Sequence, residues 1–216
     1  MKHMKRQSAP KSWPIKKKGT AYIVSPTFGG QNGVPLLVVL RDMLKVAKNR
    51  KEVKKSIHEK KILINGKLAI EERAGILLFD KITIIPTKKN YSLGLSDKGK
   101  FMINVIKENE AGKKVAKITN KTILKEKKVQ LNLGDGRNFI SDIKCNINDS
   151  VVVNFKDKKI EKCLPMKDGS RIIVFAGKHS GYTGKILKIN PERKMASIDS
   201  DGKKINVLIK QIMVVE

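Results

Sequence analysis

Lys61-Ile62-Leu63-Ile64-Asn65-Gly66-Lys67-Leu68-Ala69-Ile70 reads as a β-hairpin, and its place in the chain decides the fold of the first half. Two apolar runs flank Asn-Gly, the pair that most readily takes positive φ at both centre positions of a two-residue turn. Upstream the apolar period changes from two to 3.6. Pro35 stands at the favoured first-turn position of a helix, and Leu37, Leu40, Leu44 and Ala47 recur at three- and four-residue steps to about Lys48. Asn49 can cap a second helix, with Glu52 three residues on as in a capping box and Val53 and Ile57 as its apolar stripe. Arg41, Lys45 and Lys48 lie beside the first stripe, Lys51, Lys54 and Lys55 outside the second, and Lys61 opens the hairpin. Helix, helix and hairpin make one module over residues 34–85.

Beyond the module the pattern becomes short β-type runs separated by turn residues. Candidate strands are Ile82–Ile85, Phe101–Ile106, Val115–Ile118, Val129–Leu133, Asn138–Ile140, Val151–Phe155 and Lys159–Leu164, with Asp97-Lys98-Gly99, Gly134-Asp135-Gly136 and Asn148-Asp149 as turns. They predict a small central β domain over residues 86–165. Regular short strands of this kind suggest a small barrel or sandwich, and Arg171–Phe175, Lys185–Ile189, Met195–Asp199 and Lys204–Leu208 predict a second β unit over residues 166–216. The fold class is α+β, mostly β.

Upstream of the module, residues 1–33 have neither a helical nor an alternating apolar period, so they read as an extended arm with no core of its own. The first 41 residues carry eight Lys or Arg and no carboxylate. Lys2, His3, Lys5, Arg6, Lys11, Lys16, Lys17 and Lys18 are candidate contacts to a polyanion, and Trp13 is expected to stack at the seam with it rather than in a core. Every quarter of the 216-residue chain is positive, for a net charge of +27. Solubility alone favours mixed signs and modest net charge, so nucleic acid is the leading partner.

The glycine-rich stretch Val174-Phe175-Ala176-Gly177-Lys178-His179-Ser180-Gly181-Tyr182-Thr183-Gly184-Lys185-Ile186 joins two predicted strands. Gly177, Gly181 and Gly184 permit sharp turning and close approach of backbone N–H groups to phosphate. Lys178 and Lys185 add charge, Tyr182 a stacking face and His179 a further contact. A barrel corner shaped by glycine is the competing structural reading. The phosphate loop of nucleotidases is excluded, because the glycine spacing differs, Ile186 replaces the hydroxyl residue and a strand follows instead of a helix.

Catalysis and cofactors find no support. His3, His58 and His179 are dispersed, and neither Cys145 nor Cys163 sits in a metal-ligand spacing, so both are expected as free thiols. Glu71-Glu72 reads as a surface feature at the hairpin end, since neighbours on an extended chain face opposite ways. No apolar run reaches the roughly 18 residues that suggest a membrane span, and no signal-peptide core follows the basic start. These features predict a cytoplasmic, non-enzymatic protein without metal, cofactor or small-molecule substrate.

Five motifs in order give the chain a close resemblance to the archaeal and eukaryotic small-subunit ribosomal protein number four of the e-type, the S-four-e family. They are His3–Trp13 (HMKRQSAPKSW), Pro35–Leu44 (PLLVVLRDML), the Ile64-Asn65-Gly66-Lys67 hairpin, Val129–Asn138 (VQLNLGDGRN, including Arg137) and Ala176–Gly184 (AGKHSGYTG). The resemblance implies a basic N-terminal arm, an S4-like RNA-binding module, a central β domain and a C-terminal SH3-like KOW barrel. It implies a structural constituent of the small ribosomal subunit that binds ribosomal RNA, with Arg137 among the contacts and ribosomal proteins as neighbours. The chain departs from the family pattern at Pro26-Thr27-Phe28-Gly29-Gly30, at Gly75–Lys81 and at Ala176, and it lacks the basic extension of eukaryotic members after Glu216, which leans towards an archaeal or reduced form. An RNA chaperone or a translation or transcription factor with S4-like and KOW modules is the alternative. A nucleotide-modifying enzyme with an appended S4-like domain is a third.

Overall fold

The computed structural model describes residues 4–28, 30–124, 128–200 and 202–215. Two compact units account for them: Met1–Ser96 with Lys100–Gly112, and Lys113–Glu216 with Asp97–Gly99.

The first unit begins with a two-stranded pairing of β1 (Met4–Lys5) with β2 (Tyr22–Ile23). β3 (Gly33–Pro35) leads into α1 (Leu36–Val38), which runs on as a π-helical segment, Val39–Met43, closed by the Leu44 amide on the Val39 carbonyl. The helix predicted to Lys48 ends at Leu44, because Lys45 turns left-handed at φ 55°. Pro35 precedes the first helical residue and is extended. The first two helical amides donate to the Ala74 and Glu72 carbonyls, so this helix end is satisfied without a side-chain cap. Leu36, Leu37, Val38, Val39 and Leu40 are all buried, a helix apolar on every side rather than along a stripe.

α2 (Arg50–His58) starts as the capping pattern requires. Asn49 Oδ1 accepts from the Glu52 amide at 3.0 Å, while the Glu52 carboxylate accepts from Asn49 Nδ2 at 3.0 Å and from the Lys48 amide at 2.7 Å. The hairpin follows as β4 (Ile62–Ile64) and β5 (Lys67–Leu68), with Asn65 and Gly66 at φ 50° and 76°. Asn65 is buried, and its amide does more than turn the chain. Nδ2 donates to Asp80 Oδ1 at 2.8 Å and Oδ1 accepts from the Lys81 amide at 2.9 Å. The second Asp80 oxygen accepts from the Leu77 amide at 2.7 Å. This network ties the hairpin to the turn between β6 (Gly75–Leu77) and β7 (Lys81–Ile84), where Phe79 sits at φ 63°.

The expected boundary at residue 85 falls inside a sheet. β7 pairs with β8 (Lys89–Leu95), and β8 with β9 (Phe101–Ile106), giving the order β5-β4-β7-β8-β9. A short α3 (Glu108–Ala111) closes the unit. β8 is the strand absent from the sequence reading. Asn90, Ser92 and Gly94 weaken its β signal, yet all three are buried, with Thr83 Oγ1 donating to Asn90 Oδ1 at 2.6 Å.

The described part of the arm folds into this unit, which corrects the expectation of an extended segment outside any core. Trp13 is 3% exposed in the same core as Leu36, Val53, Ile76 and Leu93, with Ala9, Ile15, Ile23 and Val24 packed around it. Its indole N–H donates to the Gly33 carbonyl at 2.9 Å, and the ring is too deeply buried to stack on an outside base. Further on, the Thr27 amide bonds the Arg73 carbonyl, and a Cβ at Gly75 would lie 2.0 Å from the Phe28 carbonyl oxygen. Glycine at 75 lets the arm lie against β6.

In the second unit, β10 (Lys113–Ile123) changes partner along its length. Residues 113–117 pair with β13 (Ser150–Asn154), and residues 118–123 pair with β11 (Val129–Leu133) across a bulge between Ile118 and Asn120. With β12 (Asn138–Ile140) and β14 (Lys159–Leu164) the order is β12-β11-β10-β13-β14. A second sheet, β18-β17-β16-β15-β19, comprises β15 (Arg171–Val174), β16 (Thr183–Asn190), β17 (Met195–Ser200), β18 (Lys203–Leu208) and β19 (Ile212–Val214). The division expected at residue 165 is crossed by a shared core, in which Val152 and Leu164 pack with Ile172, Ile186 and Ile212. The Ser150 hydroxyl also accepts from the Val214 amide at 3.0 Å.

Two lysines are built into this unit. Lys114 forms a buried ion pair with Asp135 at 3.0 Å. Lys117 is buried with no carboxylate partner among the described residues, its ammonium donating to the carbonyls of Ile209 and Ile212 at 2.5 and 2.8 Å. Desolvation lowers its pKa from 10.5 to about 8.

Two measurements follow from these contacts. Trp13→Ala should destabilise the free protein to urea by about 3–5 kcal/mol, and the segment 4–28 should resist protease before any partner is added. For Lys117, the unfolded chain still holds its proton between pH 8 and 10.5 when the folded chain has released it, so folding gains stability as pH rises through that window. Relative to Lys117→Met, the wild type should gain up to about 3 kcal/mol between those limits.

Candidate nucleic-acid interface

Exposed cations dominate the first unit. Lys5, Lys11, Lys16, Lys17 and Lys18 are exposed on the arm, as are Lys45, Lys48, Lys51, Lys54, Lys55 and Lys61 around the helices and hairpin. Lys2 and His3 lie outside the described residues. Several of these cations have carboxylates nearby. Lys54 approaches Glu72 at 3.7 Å and Lys55 approaches Glu59 at 3.9 Å, while Lys61 pairs closely with Glu59 and holds that carboxyl below its ordinary pKa. Exposed pairs of this kind contribute little stability and leave the lysines open to exchange partners.

Two predicted contacts have structural employment. The Arg6 guanidinium closes the arm's own loop, donating to the Thr20 carbonyl at 2.7 Å, the Lys16 carbonyl at 2.8 Å and Thr20 Oγ1 at 2.8 Å. Arg41 pairs with its neighbour Asp42 at 2.9 Å. Two arginines outside the sequence candidates belong with them. Arg50 occupies the first turn of α2, where the helix dipole disfavours a cation, and Glu72 compensates at 2.5 Å. Burial works to raise the Glu72 carboxyl, but the Arg50 hydrogen bond and the nearby cations outweigh it and hold the group below its ordinary value. Arg73 donates Nε to the Ser25 carbonyl at 3.1 Å. A basic residue at the unfavourable end of a helix was the available signal for Arg50; no local pattern marks Arg73.

In the second unit, Arg137 is held over the Phe155 ring at 5.0 Å and 3.9 Å from Asp135, so it braces the Gly134-Asp135-Gly136 turn while its side chain stays one-third exposed. The glycine loop joins β15 to β16. Gly177 and Gly181 have φ of 89° and 97°, the region open to glycine. Three of its backbone donors are committed within the loop: the Gly181 amide to the Val174 carbonyl at 2.7 Å, the Tyr182 amide to the His179 carbonyl at 3.2 Å and the Ser180 amide to the Gly177 carbonyl at 3.3 Å. Gly184 serves strand packing, because a Cβ there would lie 2.1 Å from the Asp199 carbonyl oxygen in β17. These bonds and the close approach at Gly184 shape a structural corner that presents side chains. Lys178, Tyr182 and Lys185 are exposed, and His179, half-buried, tilts against Tyr182 at 5.6 Å between ring centroids.

Among the described residues, no group of three or more His, Cys, Asp or Glu could hold a metal ion, and no helix is long and apolar enough to cross a membrane. Cys145 and Cys163 are free, and burial pushes the Cys163 thiol up to about 12.

Residues 87–160 match the model of ribosomal family S4e, and residues 1–30 match that of the RS4NT (NUC023) domain. The chain is 39% identical to small ribosomal subunit protein eS4 of Methanocella arvoryzae over 90% of this chain and 83% of that protein. It is 35% identical to the protein of the same name from Methanothermobacter thermautotrophicus over 89% and 81%. The fold is similar to the crystal structure of the 30S ribosomal protein S4e from Thermoplasma acidophilum, with a TM-score of 0.74, 24% identity and coverage of 85% of this chain and 95% of that one.

The corner reading of the loop predicts an asymmetry between neighbouring changes. Gly184→Val should unfold the second unit or lower its melting temperature by several degrees. Lys178→Gln and Lys185→Gln should leave the melt within experimental error.

Proposed function

Because this chain belongs to ribosomal family S4e, we propose that it is a structural constituent of the small ribosomal subunit in the cytoplasm, that it binds the ribosomal RNA and that it abuts other ribosomal proteins. The family is one of ribosomal structural proteins, not enzymes. The observation that carries the RNA-binding reading is uncompensated surface charge: a net +27, no carboxylate before Asp42, and the arm lysines exposed although the arm itself is folded. A polyanion is the partner that relieves such self-repulsion. Lysines position the protein on backbone phosphates while its shape selects the folded RNA, and little of this requires base-specific readout. Residues 34–85 act as an S4-like module within the first unit, with Lys51, Lys54 and Lys55 towards RNA. Residues 166–216 act as a KOW-type barrel whose loop offers Lys178, His179, Tyr182 and Lys185.

Full-length protein should sediment with small subunits after a high-salt wash. Its affinity for isolated small-subunit ribosomal RNA should fall by about a thousandfold or more between 50 and 200 mM salt if six or more phosphates are neutralised. Lys51, Lys54 and Lys55 changed together to Glu should weaken that binding at least tenfold with an unchanged melting temperature. A nearly salt-independent affinity would refute the electrostatic account.

A further inference from the structure

A cavity of about 310 Å³ opens in the first unit between the arm and the helices, within the roughly 300–1,000 Å³ range of small-ligand sites. Ile15, Ile23 and Val24, each partly exposed, contribute apolar surface to it, and Arg6, Arg41, Arg50, Arg73 and Tyr22 also line it. The four arginines differ in their partners. Arg41 and Arg50 are paired with Asp42 and Glu72. Arg6 and Arg73 are held by carbonyl and hydroxyl oxygens, and among the described residues neither is paired with a carboxylate. Neutral partners fix a guanidinium in place without cancelling its charge, so the cavity keeps about two positive charges beside apolar walls. Tyr22, 59% exposed, supplies an aromatic face.

We propose that this cavity receives one unpaired nucleotide extruded from the small-subunit ribosomal RNA. Arg6 and Arg73 hold its phosphate, and its base stacks on Tyr22 against the apolar walls. The inference rests on the RNA-binding reading above and narrows it to a site. The cavity is too small for a helix, and a phosphate alone would leave its apolar wall without a partner. An unpaired nucleotide supplies both an anion and a flat apolar face.

The test uses the full-length chain and deproteinised small-subunit ribosomal RNA. With photoreactive benzoylphenylalanine in place of Tyr22, irradiation should yield a crosslink concentrated at one unpaired nucleotide. Tyr22→Ala should weaken binding at least about fivefold, the lower end for a lost base–aromatic stack, while Tyr22→Phe should retain wild-type affinity. Arg73→Gln should weaken binding more than Arg73→Lys. Crosslinks spread over paired RNA, or wild-type affinity in Tyr22→Ala, overturn the site while leaving the broader reading intact. A crosslink in assembled subunits that goes to an acidic segment of a neighbouring protein overturns it in favour of that partner. Absence of RNA binding by the wild-type chain removes both readings. Should Tyr22→Ala lower the melting temperature, the crosslink position and the Phe variant still decide the outcome.

Discussion

The hydrogen bond from the Trp13 indole to the Gly33 carbonyl is the contact on which the first unit's organisation turns. An arm rich in lysine and without carboxylates repels itself, and ordering it carries an entropic cost that its charged side chains cannot offset. A single large ring resolves the conflict. It buries apolar area among Leu36, Val53 and Ile76, while its one polar atom is satisfied by backbone twenty residues away. Once that ring is seated, Arg6 can close the loop of residues 16–20 and the lysines are turned outward. Charge display and core formation are therefore products of the same anchoring.

What was legible in the sequence was local. The Asn65-Gly66 turn and the Asn49/Glu52 cap depend on residues within a few positions of one another, and both appear as read. Trp13 gives no local sign of its burial, because its partners lie far along the chain and no apolar period surrounds it. β8 was hidden because a strand covered on both faces can satisfy Asn90 and Ser92 internally, against their propensity. The site followed the same division. Exposed lysines could be named from composition, but the employment of Arg6, Arg41 and Arg137 could not, since an arginine's partner is set by tertiary proximity. The glycines of the loop were read for flexibility near phosphate, yet the carbonyl 2.1 Å from where a Gly184 Cβ would stand gives that residue a packing role.

The chain divides its lysines between two uses. Those at the surface, numerous and exposed, supply charge with little effect on stability. Lys114 and Lys117 are sequestered, one against Asp135 and the other against backbone carbonyls, and for Lys117 the loss of hydration disfavours the ammonium. A high lysine content is thus no measure of interface by itself, and burial is what separates the two uses.

The carbonyls that receive Lys117 belong to Ile209 and Ile212, and the amide that Ser150 receives belongs to Val214. These contacts span 64 to 95 residues, and all three end between Ile209 and Val214. Pairings so distant in sequence carry a loop-closure cost before they return any free energy, so the second unit gains them late in folding. Until the segment 209–214 docks, Lys117 has no carbonyls to receive its ammonium, and the seating of one buried cation waits on a stretch of chain some ninety residues away.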